Sequence, residues 1–215
     1  MPADRAEQSM QTPCCVRCRA ELAADELGWR CHHHGVVEPL LPAFEYTPSA
    51  IADLVTAEPA GAPAWLPWPL PTDWVVSGLR RTGAGPEPAR AVAVGASGPA
   101  LFGDGAADLV LVAEEPGVGL GASYAGGDGA EPELAAVPPA GRIVVSGRPT
   151  PLWSVPGAPD RAVYVGEARG RWLWLVVSPA LEAVVVHDDL HLIDLLDPSL
   201  AWEIPVVGPA GPLLG

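Results

Sequence analysis

The sequence predicts an α+β protein: a small N-terminal zinc ribbon followed by a mainly antiparallel β-sheet domain with few short helices. Three observations carry this expectation. Four metal-type ligands fall at knuckle spacing near the start, in Cys15-Val-Arg-Cys18 and Cys31-His-His-His34. Gly (24) and Pro (26) are abundant among the 215 residues, which breaks long helices and favours short strands joined by turns. From residue 73 onward, short apolar runs alternate with Gly/Pro-rich turns, as expected of an antiparallel sheet. The apolar fraction of 49% against 18% charged residues is enough to bury a core and excludes a wholly disordered chain. The division expected is a ribbon-like module over 1–45, a short helix and Pro/Trp-rich linker over 46–72, and the sheet domain over 73–215.

The ribbon reads as C-x2-C-x12-C-x2-H. A tight turn lets both side chains of each pair point at one ion, while turn amides donate to the thiolates. Two such turns joined by a short hairpin complete a tetrahedron. Gly35 follows His34, where a positive φ is wanted, whereas the first turn carries Arg19 at the corresponding place. Cys14 gives a looser x3 spacing to Cys18, and His32 and His33 lie inside the second turn, pointing outward. Spacing alone leaves open whether one of these three replaces a ligand. Disulfides would suit a secreted chain, but MPADRAEQSMQTPCC has no apolar signal core, so reduced thiols and a cytoplasmic setting are expected. Cys15, Cys18, Cys31 and His34 fill all four positions, so the expected Zn2+ is structural.

Further along, residues 48–58 suit a short helix with Ser49 as N-cap. Prolines forbid a helix over 59–72, which reads as a linker whose Trp65 and Trp68 either pack on the sheet or dock a partner. Strands are expected at 74–80, 90–95, 108–113, 142–147, 162–168, 171–177 and 183–187, with Arg169-Gly170 as a hairpin turn. Trp172, Trp174 and Val176 alternate with Leu173, Leu175 and Val177, so this strand is apolar on both faces and belongs in the middle of the sheet. Pro149 and Pro151 belong at an edge or beyond a strand end. A last short helix is expected over 189–200, ended by Pro198.

Two further constellations invite chemistry. Gly117-Val-Gly-Leu-Gly-Ala122 partly mimics a dinucleotide fingerprint, but Pro116 intervenes and ASYAGGDG has no amphipathic helical pattern; a tight glycine loop is the expectation. Glu114 and Glu115 end a strand beside this loop, which makes Glu114, Glu115, Gly119 and Gly121 the candidate pocket. His187, Asp189 and His191 would share one face of a strand and suit a divalent ion, though aspartates before a helix explain them as well. No nucleophile–base signature is visible, so catalytic residues are unknown.

Charge narrows the partners. The formal net charge is −14, spread as −3 over 1–45 and −11 over 46–215. Neither part offers a phosphate-neutralising stripe, and an anionic bilayer would repel both. No apolar run reaches the length of a membrane span. Nucleic acid and membrane are therefore excluded as partners, leaving a protein or small ligand.

The ribbon together with Trp65-Leu-Pro-Trp-Pro-Leu-Pro71 and Trp74, LVLVAEEPGVGLGASY (109–124), Gly147-Arg-Pro-Thr-Pro-Leu-Trp153 and Gly166-Glu-Ala-Arg-Gly-Arg-Trp-Leu-Trp174 resembles a family of uncharacterised actinobacterial proteins. The resemblance covers nearly the whole chain. It implies the zinc ribbon and an actinobacterial origin, and no activity. Two functions are therefore expected in order: a non-catalytic binding or adaptor protein, then a small acyl- or phosphoryl-transfer enzyme using loop 114–124.

Overall fold

A computed structural model describes residues 13–26, 28–43, 61–83, 87–127, 130–132, 134, 138–186, 189–197, 207–209 and 211–214. The expected helix over 48–58 lies outside them. The N-terminal part holds β1 (Cys14–Cys15), β2 (Ala23–Asp25), β3 (Gly28–Cys31), β4 (Gly35–Val36) and β5 (Pro39–Leu40). β2, β3 and β4 form a three-stranded antiparallel sheet, and β1 pairs with β5.

Nine further strands make one sheet: β6 (Trp65–Pro67), β7 (Val75–Arg81), β8 (Ala91–Pro99), β9 (Ala106–Glu114), β10 (Gly141–Val145), β11 (Arg148–Val155), β12 (Ala162–Ala168), β13 (Arg171–Ser178) and β14 (His191–Asp194). Their order is β6-β14-β10-β11-β12-β13-β9-β8-β7. Every neighbouring pair is antiparallel except β10 with β14, so the sheet is mainly rather than wholly antiparallel. One short helix, α1 (Leu120–Ala125), and a 3₁₀ helix (Ala180–Val185) complete the described elements. No described helix is long and apolar enough to cross a membrane.

β13 lies between β12 and β9 and is paired along its length on both sides. Its alternation feeds two cores. Leu173, Leu175 and Val177 join Leu109, Leu111 and Trp65 on one face. Trp174 and Val176 join Val110, Val112 and Tyr124 on the other. The sheet curls, so that edge strand β6 packs on β8 and β9 across the first core. Strands with apolar residues on both faces need this cover, because each exposed face would leave hundreds of Å² of apolar surface in water. Close packing fixes residue size at Gly98: a Cβ there would overlap the indole of Trp74.

The outer edge of β7 is covered rather than bare. The Leu41 N–H donates to the Arg81 carbonyl at one end, and the Gly208 N–H donates to the Val76 carbonyl at the other. Arg80 ties these parts together. Its Nε donates to the Leu41 carbonyl, Nη1 to the Leu214 carbonyl and Nη2 to Cys14 Sγ. Ser97 Oγ donates to Asp108 Oδ1 at 2.5 Å, and Asp108 Oδ2 accepts the Leu213 N–H. That hydroxyl–carboxylate pair fastens the C-terminal stretch.

Several expectations are corrected. Trp65–Pro67, read as linker, is a strand pairing with β14. Residues 148–155 form strand β11 despite Pro149 and Pro151. β12 reaches β11 only at Trp153–Val155, so the proline-bearing half has one strand neighbour and needs no donor on its other side. Residues 183–187, read as a strand, contribute 183–185 to the 3₁₀ helix, and 191–194, read as helix, form β14.

Candidate metal centre

Cys15 ends β1, and the chain then turns tightly: the Arg19 N–H donates to the Cys15 carbonyl at 2.9 Å, and the Cys15 N–H donates to the Ala20 carbonyl at 2.8 Å. The turn closes with Arg19 at φ 61°, the left-handed region glycine usually fills. The second turn follows β3, and Gly35 at φ 69° leads out of it. Both turns therefore have the expected backbone, one built without glycine.

The ligand atoms of Cys15, Cys18, Cys31 and His34 all lie within 4.8 Å of one another. Cys18 Sγ and Cys31 Sγ are 3.6 Å apart, far beyond a disulfide bond, and all four cysteines of the chain are free. His34 Nδ1 lies 3.6 Å from Cys15 Sγ and 3.5 Å from Cys31 Sγ. A tetrahedral ion with metal–sulfur bonds of about 2.3 Å and a metal–nitrogen bond of about 2.0 Å has S···S edges of about 3.8 Å and S···N edges of about 3.5 Å. The cluster is compatible with such an ion. Cys15 and Cys31 are buried, His34 half-buried and Cys18 exposed. Burial pushes the Cys15 thiol up to about 11, against the Arg17 and Cys18 amides. Burial also opposes ionisation of Cys31, but the His33 amide and the His34 side chain outweigh it and bring that thiol down to about 6. His32 and His33 stack edge to face, exposed and outside the cluster, and Cys14 turns to Arg80.

The first turn is also one of the places where this part meets the large sheet. Arg17 donates to the carbonyls of Gly117 (2.5 Å) and Val118 (3.3 Å). Arg19 donates to Ser123 Oγ at 3.1 Å and lays its guanidinium 4.0 Å from the centre of the Tyr124 ring. An open cleft of about 220 Å³ lies between the parts, walled by Arg17, His34, Glu38, Arg90, Gly117 and Val118. Arg90 bridges Glu38 (3.1 Å) and Glu115 (2.8 Å), and Glu115 also meets Arg171 at 3.5 Å. Sequence reasoning missed both docking arginines. The signal available was Arg19 itself, a large side chain where the turn wants glycine.

The expected pocket at Glu114, Glu115, Gly119 and Gly121 is not where the cleft opens. Glu114 is 2% exposed and accepts the Leu120 N–H at 2.6 Å. Burial is the largest influence on it and pushes it up to about 7, against the N–H groups of Leu120 and Gly121. Gly119 (φ 87°) caps α1, and a Cβ on Gly121 would overlap the Trp174 indole. Residues 120–125 thus form a helix that the sequence reading denied. Its first turn is already served by a carboxylate from the preceding strand, so a pyrophosphate there would meet Glu114.

Trp65 is 1% exposed in the first core, with Arg169 5.1 Å from its ring centre; Trp68 is half-buried against the same core. Of the two roles expected for these residues, packing is what Trp65 performs, and it offers no surface to a partner. His187 lies outside the described residues and His191 is exposed on β14. Asp194 accepts from Arg169 (2.8 Å) and from the amides of Ala64 and Leu196, which uses it structurally.

A family model matches residues 10–214 of the chain. No curated protein and no solved structure matches it. The match spans the Cys/His cluster, the docking arginines and all nine strands of the large sheet, and the chain belongs to that family, DUF6758, a family of unknown function.

Proposed function

We propose that the chain is a zinc-bearing, non-catalytic binding protein of the actinobacterial cytoplasm, with an N-terminal ribbon module over 1–45 and a sheet domain that recognises a protein or small ligand. One observation carries the reading: three sulfurs and one imidazole nitrogen lie within 4.8 Å of one another, three of their separations matching tetrahedral edges, which supports an ion held by four protein ligands. Such a closed set leaves no place for an activated water and makes the metal a structural cross-link. Thiolate-rich, four-coordinate sites favour Zn2+ among common divalent ions. The reduced thiols agree with a cytoplasmic setting. The test is metal analysis of protein purified without chelator: one zinc per chain is expected, reduced to none in Cys31→Ser. A chain free of zinc, or one holding redox-active iron, overturns the reading.

Glu114 favours a second reading, a small acyl- or phosphoryl-transfer enzyme, because a carboxyl raised to about 7 suits acid–base work. Its burial under α1, away from the cleft, weighs against this. Turnover of p-nitrophenyl acetate or phosphate that disappears in Glu114→Gln would establish the enzyme.

A further inference from the structure

Four large apolar side chains stand exposed in two separate segments: Leu101 (60%) and Phe102 (59%) after β8, and Leu181 (77%) and Val184 (49%) on the 3₁₀ helix. One buried group holds the segments together. Glu182 is 0% exposed, and its carboxylate accepts the Leu101 N–H at 2.8 Å and the Phe102 N–H at 2.9 Å. In a 3₁₀ helix, residues three apart share a face. Glu182 and Val185 therefore turn inward, while Leu181 and Val184 turn outward. A carboxyl side chain with no exposure, spent on the two amides that present Leu101 and Phe102, makes this a fixed surface rather than a loose loop tip. Large apolar side chains gathered in the open in this way mark interaction surfaces on soluble proteins.

We propose that this surface docks a cationic amphipathic segment of a partner protein. Charge selects the occupant. Segments 99–107 and 179–195 contain no Lys or Arg, Asp104 stands exposed beside the patch, and the chain carries −14 overall. A second copy of the chain would bring a further −14 to the contact, and an anionic bilayer would be repelled in the same way. An apolar face flanked by Lys or Arg matches both the patch and its surroundings.

The inference rests on the binding reading above and concerns a face built only from the large sheet's connections. The probe is a synthetic helical peptide of Leu and Lys, with Leu at i, i+3, i+4 and i+7, titrated into the zinc-loaded full chain by fluorescence anisotropy. Saturable binding is expected, weakened at least tenfold in the double variant Phe102→Ser/Leu181→Ser with its melting temperature retained. The control Val36→Ser/Val207→Ser, at exposed valines elsewhere, stays within twofold. Glu182→Ala leaves the apolar side chains in place but releases the clamp, and weakens binding as well. Equal binding by the double variant and the parent overturns the proposal, as does equal binding of a peptide with Glu in place of Lys. A concentration-dependent dimer that the double variant abolishes also overturns it, with a second copy as the occupant. Failure here with one zinc present leaves the metal reading intact; patch-dependent binding in a protein without zinc overturns only the metal reading.

Discussion

Residues 13–43 and the nine-stranded sheet are held together in opposite ways. The sheet buries two apolar clusters, one on each face, and β13 contributes to both. The N-terminal part has a cluster of its own made only of Cys15, Leu22 and Cys31, two of them in the Cys/His group, while its Val16 and Leu40 bury into the sheet's second cluster. Apolar burial at about 25 cal/mol per Å² stabilises the first without help, whereas a core of three residues cannot offset the entropy of ordering thirty. An ion bound at the Cys/His cluster would add the cross-link that this small core lacks. The contrast teaches where each part is vulnerable: to chelation in one, to cavity formation in the other.

The largest expected effect breaks the first half of that contrast. Structural zinc is worth on the order of 10 kcal/mol to a small module, so Cys31→Ser or strong chelation abolishes amide protection over 13–43 in hydrogen exchange. β9, β12 and β13 stay protected. Because Arg17 and Arg19 rest on residues 117–124, amides of that loop and α1 should lose part of their protection too. Loss confined to 13–43 would show that the two parts are uncoupled.

Next in size is Trp174→Ala. Trp174 is 3% exposed over Gly121, and its removal is expected to cost about 3–5 kcal/mol in urea unfolding through lost transfer energy and a cavity. The half-buried Trp29 of the N-terminal part should cost far less when truncated in the zinc-loaded protein. Similar costs at both positions would erase the contrast.

Glu114 sharpens the comparison on the pH axis. Its pKa rises from 4.5 unfolded to about 7 folded, so the folded chain binds more protons between those values. Stability then falls as pH rises from about 4.5 to 7, by roughly 3 kcal/mol in total, and is level above that. Glu114→Gln should flatten this slope, read from urea midpoints at stepped pH values. An unchanged slope would place the dependence elsewhere.

The smallest effect is at Arg19, where a left-handed backbone costs about 1 kcal/mol and the side chain gives back a cation–π contact and a hydrogen bond. Arg19→Gly relieves the backbone while losing the contacts, and should melt close to the parent. Arg19→Ala keeps the strain and loses the contacts, with a cost of about 1–2 kcal/mol. Arg19→Ala melting with the parent, and Arg19→Gly above it, would mean that the side-chain contacts contribute nothing.

What could be read in the sequence divides along similar lines. The Cys/His cluster was legible because its geometry is local: two turns, each carrying its two side chains three residues apart. β13 was legible because Trp172–Val177 is apolar on both faces, and the hairpin at Arg169-Gly170 because both residues take positive φ. The elements missed depend on distant groups. Residues 120–125 lack helical periodicity, and their helix is held by Glu114 from the strand before and by packing on Trp174. The apolar run after Leu181 resembles a strand, but Glu182 is drawn to the amides of Leu101 and Phe102 some eighty positions away. Trp65 among its prolines read as linker, open to packing or docking, because the pairing with β14 is set by residues far along the chain. Side chains that reach across the fold leave no pattern in their own neighbourhood.

The two glycine–indole contacts, Gly98 with Trp74 and Gly121 with Trp174, have a consequence for descent. Each pair shares one fixed volume, so a mutation that enlarges the glycine is tolerated only with a smaller residue at its partner. Across family members the two positions of a pair should therefore vary inversely in size. Substitutions would arrive in compensating couples, and single replacements at either position would be purged.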